Sequence, residues 1–242
     1  MSAKPLRERK KIVVLTGAGV SAESGIPTFR ASDGLWENHR VEDVASPQGF
    51  YRDPSLVLNF YNLRRAQLLT VQPNRGHQLL AALEKDYDVH IVTQNIDDLH
   101  ERAGSTNIIH LHGELKKVRP VNADWPILPW TGDLNLGDTD DKGNQLRPHI
   151  VWFGEEVPEI PRAAQTVAAA DLLLIIGTSM QVYPAAGLVD YAPADAPIIY
   201  IDPRPTISHE LRRRRNIHLL EMGGSAGMEV VMQRMNEWLP PG

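Results

Sequence analysis

Residues 12–30 read IVVLTGAGVSAESGIPTFR, and the change of character along that stretch decides the fold. Ile12, Val13, Val14 and Leu15 are a continuous apolar run, the pattern of a strand covered on both faces in a parallel sheet. Gly17 and Gly19 follow at once. Glycines there let the chain turn tightly and let backbone approach a pyrophosphate, while the next helix points its first amides and positive dipole end at the anion. Ala22 completes a spacing that the dinucleotide-binding fingerprint allows. By itself, GAG after a strand serves equally as a plain strand-to-helix turn. The next residues depart from a hydride-transfer unit. Gly25 and Pro27 stop the helix early, and Ser21, Ser24, Thr28, Phe29 and Arg30 give a polar loop where a long helix would run.

Working outward, Asp53 and Pro54 read as an N-cap and first-turn proline of a helix through about Leu69, with Leu56, Val57, Phe60, Leu63 and Leu68 as its stripe. Residues 74–85 predict a second helix feeding a strand at 89–93. Further strands are expected at 108–111, 150–153, 172–176 and 198–201, with helices at about 161–170 and 226–239. Short strands alternating with helices predict an α/β fold, a doubly wound Rossmann-like parallel sheet. Residues 31–50 read as a loop with short helices, anchored by Leu35, Trp36 and Phe50. Residues 117–148 show no sustained period and read as an insertion or functional loop. The expected organisation is one domain, 1–242. Its large part comprises about 11–30, 74–116 and 149–239, and its small inserted subdomain about 31–73 and 117–148.

Composition narrows the function. The chain has 242 residues, 42% of them apolar, yet no long apolar run, so it can bury a core without spanning a membrane. Its first residues, MSAKPLRERKK, lack a secretory apolar region, which makes the cytoplasm the default location. There is no cysteine, which excludes disulfides and thiolate metal sites. A net charge of −5 argues against nucleic acid as a partner, and Arg212 to Arg215 read as decoration of a solvated helix. The oligomeric state stays open, a monomer being admissible.

In doubly wound sheets ligands sit beyond the carboxyl ends of the strands, and Gly17, Gln94, His112, Gly177 and Asp202 all fall just after predicted strands. Thr93 to Asp97, TQNID, places amides and a carboxylate there. They can bond a carboxamide and ribose hydroxyls, or simply cap the next helix. His110 and His112 alternate on one strand face, with no third metal ligand evident. Tyr61 and Arg64, three apart on a helix, share a side and can converge on one anion; equally, the phenol half-buries and the charge is solvated.

The string GAGVSAESGIPTFR resembles the first NAD motif of the sirtuins, NAD-dependent protein deacylases, matching GAGxSxxSGIPxFR at every fixed position. The resemblance covers residues 11 to about 238. It implies that Gly17, Ala18, Gly19, Ser21, Phe29 and Arg30 bind NAD as cosubstrate. Asn95 and Asp97 would hold nicotinamide and Gln94 the ribose. Gly177, Thr178 and Ser179 would meet the phosphates and ribose, with Asp202, Arg204, Gly224, Ser225 and Ala226 near the adenosine. His112 would be the general base, with Asn95 beside it. Phe153, Gly154 and Val182 would receive the acylated peptide as an added strand, and Val151 the acyl-lysine. The YxxR pair Tyr61 and Arg64, with the small Ala45, resembles the desuccinylase and demalonylase class.

The implied reaction has the acyl oxygen attack ribose C1′ as nicotinamide leaves, giving lysine and O-acyl-ADP-ribose, with Phe29 shielding the intermediate and Arg30 ordering the loop. Other outcomes on the same scaffold are NAD hydrolysis, mono-ADP-ribosyl transfer, or NAD sensing without catalysis. The chain departs from the family in one place. Most sirtuins carry two CxxC pairs that bind a structural zinc, and residues 117–148 contain none. No zinc is therefore expected, and Trp125, Ile127, Leu128 and Trp130 are read as an apolar staple in its place.

Overall fold

The computed structural model describes residues 9–28 and 35–240. Strand β1 (Lys11–Thr16) carries the predicted apolar run. Its Val13 and Leu15 pack into one layer and Ile12 and Val14 into the opposite one, all almost wholly buried. A 3-10 helix, Ala18–Ser24, follows and ends at Gly25 with φ 92°, the early stop that its Gly and Pro foretell. Strands β2 (Leu35–Trp36) and β3 (His39–Arg40) form a hairpin, and two short helices come next, α1 (Val41–Val44) and α2 (Pro47–Arg52). Helix α3 (Pro54–Thr70) starts as expected, with the Asp53 carboxylate accepting from Leu56 N–H at 2.9 Å. Asn74 caps α4 (Arg75–Leu83), which feeds β4 (Asp88–Thr93), α5 (Leu99–Ala103) and β5 (Ile108–His110).

The stretch read as irregular holds a sheet. Strands β6 (Gly113–Pro120), β7 (Leu128–Pro129) and β8 (Leu146–Ile150) pair antiparallel in the order β7-β6-β8. A register shift between Gly113 and Val118 breaks the alternation that would have betrayed β6, and Lys116, Lys117 and Arg119 mask what remains. The strand expected at 150–153 therefore ends at Ile150 and lies in this second sheet. Next come α6 (Ile160–Ala168), β9 (Leu172–Ile176), a 3-10 helix at Ala185–Tyr191, β10 (Ile198–Ile201), α7 (His209–Arg212), β11 (Ile217–Leu220) and α8 (Gly224–Trp238). β11 escaped the sequence reading because, as an edge strand, it leaves His218 and Leu219 exposed.

Among the described residues the parallel sheet has the order β11-β10-β9-β1-β4-β5. Helices α4 and α8 cover one face, and α6 with the second 3-10 helix covers the other, which is the predicted doubly wound, Rossmann-like architecture. Chain order reverses between β1 and β9, which opens a crevice at their carboxyl ends. A third apolar cluster joins residues of α1, α2 and α3 to the antiparallel sheet, Leu134 and Trp152.

The expected staple is half right. Leu128 and Trp130 pack against that third cluster, whereas Trp125 is 74% exposed. The wholly buried Arg65 of α3 provides a clasp that composition does not advertise. It donates to the carbonyls of Leu115 and Gly132 and to Asn62 Oδ1, and Asn62 in turn bonds both the N–H and the carbonyl of Leu134.

Candidate active site

The two loops flanking the crevice touch backbone to backbone. Gly17 N–H donates to Ile176 O at 3.1 Å and Gly19 N–H to Gly177 O at 2.8 Å. A Cβ on Gly19 would stand 2.6 Å from Gly177 Cα, and one on Gly177, at φ 60°, 2.3 Å from Val20 N. These glycines are therefore fixed first by the meeting of β1 and β9, and that meeting shapes the bed for a ligand. The crevice, of about 720 Å3, is lined there by Gly17, Ala18, Gly19, Gly177, Thr178, Ser179, Asp202 and Arg204. Gln94 joins the two sides, donating from Nε2 to Thr178 Oγ1 at 2.9 Å.

Beneath lies a buried polar floor. Asn95 and Asp97 line the crevice; Ser21, which the resemblance assigns to the cofactor, is buried and bonded to both of them. The Ser21 hydroxyl donates to Asp97 Oδ2 at 2.9 Å and accepts from Asn95 Nδ2 at 3.2 Å. His77 completes its shell. Nδ1 of His77 accepts from Asn74 N–H, so the neutral ring carries its hydrogen on Nε2, 3.4 Å from Ser21 Oγ. Burial lowers the His77 pKa to about 4 and also keeps His100, bonded to Thr16 Oγ1, neutral. Burial raises the Asp97 carboxyl, partly offset by Leu99 N–H and the Ser21 hydroxyl.

His112 lies in the turn between β5 and β6, not within the strand. Its Nδ1 stands 3.0 Å from the Gln94 carbonyl, which can only accept, so that nitrogen carries the hydrogen and the Nε2 lone pair is left for the crevice. Burial lowers its pKa, offset in part by the Gln94 bond, which favours the neutral base. His110 does not share its surroundings. It bonds Asn95 O through Nδ1 and Glu101 through Nε2 at 2.6 Å, and although burial pulls its pKa down, Glu101 more than reverses that. Glu101 and Glu114 bring carboxylates near it, the third partner that sequence reading did not find, but Glu114 is engaged by Lys117.

Ala45, Tyr61, Arg64, Val151, Phe153, Gly154 and Val182 also line the crevice. Tyr61 is wholly buried, and its oxygen accepts from Trp152 Nε1 at 3.0 Å, which leaves the phenol hydrogen free to donate. Burial pushes the phenol pKa up, so it stays protonated. The Trp152 indole is itself fixed: Arg147 stacks 3.3 Å from its ring centre and pairs with Glu155, whose Oε2 accepts from Trp152 N–H. Arg64 lies over the Phe60 ring at 4.5 Å, and its Nε and Nη1 are buried without a partner among the described residues.

Ala226 is exposed and does not line the crevice, and Ser225 is spent on α4, its hydroxyl accepting from Gly76 N–H. Phe29 and Arg30 lie outside the described residues. Sequence reading missed Trp152, Arg147, Glu155 and Glu37 as site residues. The signal for Arg147 and Trp152 was faint: an arginine and a tryptophan bracketing the apolar end of RPHIVW.

Known proteins share this geometry. Residues 17–184 match the Sir2 family. The chain is 55% identical to an NAD-dependent protein deacylase of Bacteroides thetaiotaomicron over 93% of its length and 97% of that protein's. It is 52% identical to one of Helicobacter pylori over 94% and 98%. Among solved structures it resembles a Sir2 homologue–NAD complex, with TM-score 0.82 and 39% identity, covering 96% of this chain and 91% of that one. It also resembles a Sir2–p53 peptide–NAD+ structure, with TM-score 0.76 and 30% identity, covering 96% of each. The protein is thus of the Rossmann-like α/β class with a dinucleotide crevice. It belongs to the Sir2 family, and its relatives place it among that family's enzymes.

Proposed function

We propose that this protein removes succinyl and malonyl groups, beside acetyl, from protein lysines at the expense of NAD. The general activity is the one that its relatives' names carry. The acyl preference rests on one observation: Arg64 Nε and Nη1 are buried and unpartnered, among the described residues, beside a phenol with its hydrogen free. A buried cationic donor without an acceptor costs about 1–3 kcal/mol or more, and an acyl chain ending in a carboxylate removes that cost.

The glycine bed and the Asn95–Asp97 floor fit a dinucleotide, polar where the nicotinamide amide and ribose need partners. NAD supplies an electrophilic ribose carbon whose leaving group is nicotinamide. Asn95 and Asp97, held by Ser21, orient the carboxamide, and Gln94 the ribose. His112 Nε2 takes the proton of a ribose hydroxyl as the acyl group is transferred. Phe153, Gly154 and Val182 clasp the peptide by its backbone, and Val151 meets the acyl-lysine. The protein binds acylated peptides and no nucleic acid, works in the cytoplasm, and uses no zinc.

Incubation with NAD and a succinyl-lysine peptide should release nicotinamide and free lysine in equal amounts, with O-succinyl-ADP-ribose as co-product. Free ADP-ribose without deacylation would instead make it an NAD hydrolase. NADH formation would overturn the reading altogether.

A further inference from the structure

Among the described residues, Arg64 has one charged neighbour in the crevice, and it belongs to the protein. Glu37 Oε2 lies 3.8 Å from Arg64 Nη2, with the two side chains only 21% and 17% exposed, and both residues line the acyl end. The hairpin turn does not explain a glutamate there. Glu37 takes φ 51° and the next residue, Asn38, φ 64°. Asparagine and glycine adopt such backbone readily, whereas glutamate does so at a cost. Nor does hydrogen bonding explain it, since 3.8 Å is too long and leaves a charge contact alone. The pocket thus contains a cation whose charge is balanced but whose Nε and Nη1 remain unbonded.

We propose that Glu37 is a resident counter-ion that sets acyl selectivity, a reading that rests on the acyl pocket proposed above. An uncharged acyl chain lying beside Arg64 would bury an unbalanced charge. Glu37 balances it, so acetyl-lysine remains a substrate. A carboxylated chain arriving at Arg64 must share the guanidinium with Glu37, and the two anions repel. Glu37 therefore favours uncharged chains and penalises charged ones, and its displacement accompanies succinyl binding.

The test is Glu37→Gln in the full chain, with kcat/KM measured at saturating NAD on succinyl-lysine and acetyl-lysine forms of one peptide. Succinyl kcat/KM should rise about three- to tenfold, mainly through KM, the scale of one partly exposed charge contact. Acetyl kcat/KM should fall, so the ratio moves further still. Glu37→Asn, which suits the left-handed backbone of the turn, should move the ratio in the same direction. An unchanged ratio in both variants, or a fall in succinyl turnover, overturns the role of Glu37 while the acyl pocket stands. A wild-type protein that ignores succinyl and malonyl peptides overturns the acyl pocket and this proposal together.

Discussion

The two ends of the crevice are built from different material. At the dinucleotide end, Gly17, Gly19 and Gly177 meet through backbone, and the neighbouring strands are apolar on both faces. At the acyl end the surfaces are side chains: Arg64 over Phe60, Tyr61 bonded to Trp152, Arg147 stacked on that indole and tied to Glu155. Backbone contacts tolerate little change of residue and so specify one ligand, the dinucleotide. Side-chain contacts can be altered singly, and on the proposed function they carry the choice of acyl group.

The largest effect should come where the ends meet. His112→Ala should lower deacylation of every acyl-lysine peptide at least about a hundredfold, because the base serves a step common to all of them. A loss confined to succinyl peptides would place His112 with the acyl end and blur the distinction between the two.

A smaller effect should come from the clasp of the small region. Arg65→Met leaves the buried Leu115 carbonyl without its donor, removes the bonds to Asn62 and Gly132, and should cost about 2–4 kcal/mol, read as a shift in denaturant midpoint. Chelator should leave the wild-type midpoint unmoved. A midpoint that falls in chelator would mean a metal shares the clasp.

The smallest is a displaced pH limb. Since burial lowers the His112 pKa, the neutral base persists below the ordinary value of 6.5. The acid limb of kcat/KM, which falls as His112 gains its proton, should therefore lie below pH 6.5 for acetyl and succinyl peptides alike. A limb at or above 6.5 would show that the carbonyl bond from Gln94 outweighs burial.

The dinucleotide end was the more legible of the two in the sequence. β1, β9 and β10 announce themselves as apolar runs because both their faces are covered, β4 more weakly because Asp88 and His90 interrupt it, and the candidate site residues lie at their ends by the geometry of the fold. Asp53 marked the start of α3 by its capping chemistry. The antiparallel sheet was hidden, since a bulge and three cations interrupt β6. At the acyl end the YxxR spacing was visible within one helix turn. Its support was not, because Trp152 reaches Tyr61 from 91 residues away and Glu37 reaches Arg64 from the turn of a separate hairpin. The bonds of Ser21 were hidden for a related reason. A motif says which residues recur together, and Ser21 belongs to the layer that holds Asn95 and Asp97 in position.

The most direct test of the acyl assignment is kcat/KM for succinyl-lysine and acetyl-lysine peptides in the wild type and in Tyr61→Phe combined with Arg64→Met. A loss of about thirtyfold to a thousandfold is expected on the succinyl peptide, the kinetic equivalent of about 2–4 kcal/mol for a buried carboxylate deprived of its partners, with a much smaller loss of deacetylation from Glu37 left without its cation. Equal loss of both activities, or no succinyl turnover in the wild type, would contradict it.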